Sequence, residues 1–121
     1  MHKFISRDET GLPAPKKALQ ATNILKDTFF FHHTVTPVTD NPFADLRRVT
    51  NYGKYSDIPY NVLTHPKLIG DALMGRFLNG VPALGAHTGG QNTRGHGLAR
   101  IGNYMEGNLD NDAMLESEVF A

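Results

Sequence analysis

His32 and His33 stand near the end of the run Thr28-Phe29-Phe30-Phe31-His32-His33-Thr34-Val35. Neutral imidazole is a preferred zinc ligand, and a catalytic zinc takes three protein ligands and a water. Neighbouring residues of a strand point to opposite faces, so at most one of the two histidines looks into any one cleft. A second cluster is the stretch Gly85-Ala86-His87-Thr88-Gly89-Gly90-Gln91-Asn92-Thr93-Arg94-Gly95. Its glycines let a ligand approach the backbone, and its amides, hydroxyls and guanidinium suit a polar, acetamido-bearing or peptide substrate. Tyr60 offers a phenol that can donate to a developing oxyanion. Each feature alone has an ordinary reading: a hydrogen-bonded structural histidine, a surface loop, a packing tyrosine. His65 and His96 are read as ordinary polar residues. There is no Gly-x-Ser-x-Gly elbow, no P-loop lysine pattern and no dinucleotide fingerprint.

These residues need elements to hold them. The aromatic and β-branched run from Thr28 to Val35 predicts a buried strand, bounded by Pro37. Asp40 or Asn41 can cap a helix with Pro42 in its first turn, running to about Tyr52 and stopped by Gly53. Phe43, Leu46 and Val49 give it one apolar stripe. Asp57 to Thr64 reads as a second strand entered at Pro59. Lys67 to Phe77 reads as short hairpin strands, since Gly70 and Gly75 disfavour a helix. The polar stretch from Gly85 to Gly97 predicts a long loop lining a site. A further strand is expected over Leu98 to Tyr104. Residues 8–16 read as an extended lead-in because of their two prolines, Lys17 to Lys26 as a short helix. Asp110 or Asp112 opens a last helix through Met114, Leu115 and Val119. Strands mixed with helices predict an α/β layer fold.

Composition bounds the function. The chain has 121 residues, about one domain, and 40% of them are apolar. Twelve Lys and Arg balance twelve Asp and Glu, so nothing points to nucleic acid or a membrane as partner. The distribution is uneven: after Arg100 come five acids and no base. This reads first as a solvated acidic tail or helix start; the alternative is a mildly basic body suited to an anionic polymer. With no cysteine, disulfides are excluded and a metal must be held by His, Asp or Glu. The N-terminus lacks an apolar run of signal-peptide length. If the protein acts outside a cell, it must be released by other means.

The segment Gly85-Ala86-His87-Thr88-Gly89-Gly90-Gln91-Asn92-Thr93-Arg94, followed by Ile101-Gly102-Asn103-Tyr104, closely resembles the type 2 N-acetylmuramoyl-L-alanine amidases and their relatives, the peptidoglycan recognition proteins. The resemblance recurs in order along nearly the whole chain. Ile5-Ser6-Arg7-Asp8-Glu9 is similar to the family's opening, with Thr10 where tryptophan is usual. Phe31-His32-His33-Thr34 is similar to its first metal strand, and Met74-Gly75-Arg76 to the hairpin before the loop. Asp57-Ile58-Pro59-Tyr60 is similar to the segment with its active-site tyrosine, with Pro59 for the usual glycine and Asn61 for a frequent histidine.

The resemblance implies a mixed central sheet flanked by helices, with residues 1–121 forming the N-terminal, larger part of an amidase-like domain, incomplete at the C-terminus. It implies Zn2+ with His32 as first ligand, Tyr60 as the catalytic tyrosine, and His87, Thr88, Asn92 and Arg94 at the substrate, with His33 structural. The partner implied is peptidoglycan, a muramyl peptide, and the reaction is hydrolysis of the lactyl–L-alanine amide, as in a phage endolysin. The family's other zinc ligands, a second His and a Cys or Asp, belong to a further C-terminal segment, to which a cell-wall-binding domain can be joined. Within the chain His87 and Asp57 are the candidate substitutes for them, though nothing in the spacing places either beside His32. The alternatives are a recognition module that binds peptidoglycan without cutting it, and a phage structural protein reusing the fold.

Overall fold

The structure, a computed structural model, describes residues 3–22, 26–53 and 55–104. In chain order its elements are β1 (Phe4–Ile5), α1 (Arg7–Thr10), β2 (Thr28–His33), α2 (Pro42–Gly53), β3 (Val62–Thr64), β4 (Ala72–Met74), β5 (Phe77–Leu78), β6 (Val81–Pro82) and β7 (Gly95–Arg100). Five strands form one sheet in the order β1-β4-β3-β7-β2, while β5 and β6 pair as a separate ribbon. β2, β7 and β3 run parallel, β3 and β4 antiparallel, β4 and β1 parallel. The sheet is therefore mixed, as the sequence implied.

Register assigns the two faces. His32 lies opposite Ala99, and Ala99 opposite Leu63. Leu63, Ala99, Leu73 and Ile5 share one core cluster with Leu46 and Val49 of α2, so α2 covers this face. Phe43 packs against the same cluster. Each of the buried leucine, isoleucine and valine side chains among these contributes about 1.5–3 kcal/mol. The start of α2 follows from its sequence: the Ala44 N–H donates to Asn41 Oδ1 at 3.1 Å, with Pro42 where no N–H is needed. Asn41, not Asp40, is thus the cap.

Several expected elements differ in extent. β2 is not a buried strand; it is the edge of the sheet among the described residues, with Phe29 and Phe31 54% and 65% exposed. It ends before Val35, whose φ of 56° is a left-handed conformation that a β-branched residue rarely takes. The second expected strand shrinks to Val62–Thr64, and the last begins earlier, at Gly95, and ends at Arg100. The hairpin reading of Lys67 to Phe77 yields β4 and the start of β5. Arg7–Thr10 is a short helix at the head of the expected extended lead-in. The described part of Lys17–Lys26 holds no helix, for Gln20 spends its carbonyl on the Leu84 N–H at 2.8 Å. The helix expected from Asp110 or Asp112 lies outside the described residues.

The other face carries a smaller cluster of Val62, Ala72 and Leu98, with Phe77 against it. In its next row, Arg100 stands between Thr64 and His33. Arg100 is fully buried, and among the described residues none of its three side-chain nitrogens has a hydrogen-bond partner. A buried guanidinium without a partner keeps its desolvation penalty. Arg100→Met, close in volume and apolar, is therefore expected to stabilise the fold by about 1–3 kcal/mol. Thermal unfolding reads this out as a rise of several degrees; an unchanged or lower midpoint would show that the cation is compensated.

Candidate functional site

The seam between β2 and β7, on the face covered by α2, gathers the chemistry. Phe30 and His32 project there from β2, opposite Gly97 and Ala99. Because Gly97 has no side chain, the ring of His87 lies directly on it: a Cβ at Gly97 would come within 2.5 Å of His87 Cδ2. A Cβ at Gly85 would meet the same atom at 2.6 Å, so the imidazole sits in a slot that only glycine leaves open on both sides. Phe30 adds a tilted ring contact at 6.2 Å.

The loop that delivers His87 is held by its own residues. Asn92 Oδ1 accepts from the N–H groups of His87 and Thr88, at 2.9 and 3.1 Å. Lys26 Nζ donates to the carbonyls of Asn92 and Gly95 at 2.5 and 3.0 Å, fastening the end of the loop. From there His87 Nδ1 reaches within 3.2 Å of His32 Nε2 and 3.0 Å of Thr88 Oγ1, and Thr88 Oγ1 stands 3.3 Å from His32 Nε2. Tyr60 completes the group, its ring 5.4 Å from that of His32 and 6.3 Å from that of His87.

Electrostatics keep these groups uncharged at neutral pH. Burial lowers the pKa of His87 to about 4, helped by the neighbouring His32. His32 is lowered by burial and then by His33. Burial, and then Tyr55, raise Tyr60, so its phenol keeps its proton. Two neutral imidazoles and a phenol are ligands and hydrogen-bond donors, not an ion-pair network.

Of the residues singled out in the sequence, His32, Tyr60, His87 and Thr88 come together. Asn92 shapes the loop through its carbonyl oxygen. Arg94 does not join them: it binds Asp27 and Thr28 Oγ1 at 3.3 and 3.2 Å, at the opposite end of β2. Four residues of strand separate Thr28 from His32, about 13 Å. His33 faces away and accepts from the Tyr104 N–H at 3.0 Å, a structural role. Asp57 is committed to Arg7 in a two-pronged ion pair at 2.8 and 2.9 Å, so it is no candidate ligand. Among the described residues no three His, Asp or Glu side chains converge.

Sequence reasoning missed Asn61 as a support of the site. It is fully buried; its Nδ2 donates to the carbonyls of Arg76 and Ala83, and its Oδ1 accepts from the Gly97 N–H at 2.9 Å. It thereby holds the strand on which His87 rests. Gly75 supports Tyr60 in the same way, since a Cβ there would meet the Tyr60 carbonyl oxygen at 2.2 Å. The only signal for Asn61 was an amide standing where the resemblance puts histidine.

No family model and no curated protein matches the chain. Solved structures do: wild-type Drosophila PGRP-LB matches with a TM-score of 0.81 and 21% identity, over 98% of this chain and 71% of its own. The fold is that of the peptidoglycan recognition proteins. Drosophila PGRP-SA shares it at 27% identity and a TM-score of 0.74, covering 96% of this chain and 67% of its own. The PGRP-LCa and PGRP-LCx ectodomain complex, bound to tracheal cytotoxin, matches at 23% identity and 0.80, over 96% and 70%. This peptidoglycan recognition fold places the His32 cluster on its sheet face, beside the loop from Gly85 to Arg94.

Proposed function

We propose that the chain is the larger part of a zinc-dependent N-acetylmuramoyl-L-alanine amidase that hydrolyses the lactyl–L-alanine amide of peptidoglycan. The observation that carries this reading is the convergence of His32, Tyr60, His87 and Thr88 on one sheet face. The fold, and the tracheal cytotoxin bound by two of its structural neighbours, support peptidoglycan as the partner. His32 fits a zinc ligand in being neutral and only partly buried. Zinc bound there would lower the pKa of a water towards about 7 and polarise the carbonyl.

The chain's own residues supply the rest. Water adds to the amide carbonyl, the C–N bond breaks, and the L-alanine nitrogen leaves as an amine with a proton. The protonated Tyr60 donates to the oxyanion of that addition. Thr88 and His87 face the same place and orient the muramyl peptide. Arg94, about half exposed at the far end of β2, meets anionic groups of the polymer away from the scissile bond. An endolysin made in a host cytoplasm and acting at the cell wall would use the site in this way.

The lack of a three-residue ligand group among the described residues favours one second reading, a recognition module that binds without cutting. Incubating the chain with purified sacculi and zinc separates the two. The amidase reading expects new L-alanine amino termini that disappear with chelator. Co-sedimentation with sacculi and no new amino termini would establish the recognition module. Neither binding nor cleavage would leave the fold to a structural role in a phage particle.

A further inference from the structure

We propose that Lys26 is a positioning residue of the site: its ammonium fixes Asn92, and Asn92 sets the backbone of His87 and Thr88. This rests on the reading that His87 and Thr88 face the muramyl peptide. It adds a residue that in the sequence only closes the expected helix from Lys17. Two sets of contacts meet at Asn92. Its carbonyl accepts from Lys26 Nζ at 2.5 Å, while its side-chain oxygen accepts from the His87 and Thr88 N–H groups at 2.9 and 3.1 Å. Asn92 is therefore held from one side and holds the site from the other.

An ammonium suits this place by its chemistry. It has three donors and no acceptor, and the carbonyls of Asn92, Gly95 and Thr93 stand around it at 2.5, 3.0 and 3.5 Å. The adjacent Asp27 carboxylate instead takes the Thr28 hydroxyl and Arg94 Nε, at 2.8 and 3.3 Å. Lys26 is partly buried, and its partners among the described residues are carbonyls. Turning them away would leave the charge desolvated and unpaired. Water satisfies carbonyls singly, whereas an ammonium draws three of them to one point. The same short segment fastens the rest of the loop end. The Arg94 carbonyl accepts from the Asp27 and Thr28 N–H groups at 3.0 and 3.2 Å, and that of Gln91 from the Gly95 N–H at 2.7 Å. Every carbonyl from Gln91 to Gly95 thus has a donor, all but that of Gln91 from residues 26–28. Those residues lead directly into β2, which carries His32, so one segment fixes both sides of the site.

The test compares the full chain with Lys26→Met, which keeps the stem and removes the charge, with Asn92→Ala, and with both together. Amide hydrogen exchange, read by NMR without substrate, should quicken at least about tenfold at His87 and Thr88 in Lys26→Met. The amides of Leu46 and Val49 on α2 should keep their rates. The double variant should exchange no faster than Asn92→Ala alone, because the effect passes through Asn92. On sacculi with zinc, kcat/KM for L-alanine release should fall about 10–100-fold in Lys26→Met. If a variant does not fold, the wild type still decides: its Lys26 ammonium protons should exchange with water more slowly than those of the exposed Lys17. Equal ammonium rates, unchanged His87 and Thr88 exchange, or additive effects in the double variant would overturn the inference and leave the amidase reading standing. So would quickened exchange with wild-type activity, since Lys26 would then hold the loop without positioning anything. A wild-type chain that neither binds nor cleaves sacculi overturns the amidase reading, and the link from Lys26 to His87 is then decided by the exchange rates alone.

Discussion

Asp45→Ala is expected to cost about 3–5 kcal/mol of stability, the largest effect of any single substitution considered for this fold. Asp45 is fully buried on α2. Its two oxygens accept from the Thr39 N–H at 2.7 Å, the Thr39 hydroxyl at 2.7 Å, Arg48 at 2.9 Å and His65 Nε2 at 2.7 Å. The Lys67 N–H donates to His65 Nδ1 at 3.0 Å, so the imidazole is neutral with its proton on Nε2. Removing the carboxylate strands four donors, and one of them, His65, is itself fully buried. Asp45→Asn should be nearly as damaging, because its amide nitrogen would face donors.

The pair also gives the fold an acid limb. Burial alone would raise the Asp45 pKa, but the bonds from Thr39, His65 and Arg48 outweigh it and hold the group at about 2. Its contribution is present above the unfolded value near 4 and is lost as pH falls through about 2. Burial outweighs the pull of Asp45 on His65 and lowers its pKa. The unfolded chain therefore takes up that proton first, near pH 6.5, and stability begins to fall below that pH. Urea unfolding at pH 7, 5 and 3 should show both parts in the wild type, and Asp45→Ala should lose the lower one. A loss below about 1 kcal/mol at pH 7 would mean the donors find other partners.

Tyr60→Phe is expected to lower kcat by about 10²–10³, equivalent to about 2.7–4 kcal/mol of transition-state stabilisation. Binding to sacculi should be unchanged. The substitution removes only the hydroxyl, and the ring keeps its place against the α2-face core and beside His32. The hydroxyl makes no hydrogen bond to a described residue, so its loss strands nothing and the fold should be indifferent. Release of L-alanine amino termini under saturating substrate measures kcat directly. A Tyr60→Phe rate within threefold of wild type would remove the oxyanion role and leave Tyr60 a packing residue.

Much of the scaffold was legible in the sequence because its causes are local. Asn41, Pro42 and the stripe of Phe43, Leu46 and Val49 define α2 through capping and a period of 3.6, and the helix is there. The two-residue period of a strand separates His32 from His33, and the structure puts them on opposite faces. The glycines between Gly85 and Gly95 announce a backbone that something approaches closely. At Gly85 and Gly95, though, what approaches is this chain's own His87 and Phe30.

What the sequence could not decide depends on segments distant in the chain. His87 meets His32 across 55 residues, and His65 meets Asp45 across 20. Periodicity says which face a side chain takes, but not which loop folds over that face. His65 and His96 were read as ordinary polar residues, yet His65 is fully buried and His96 Nε2 is buried with no partner among the described residues. Arg94 shares a loop with His87, but Asp27 draws it to the other end of β2. The residue types that make a zinc-hydrolase chemistry possible were set by the sequence itself. Which of them stand within 3.3 Å of one another was decided only when β7 slid between β2 and β3, because only sheet register brings distant residues to one place.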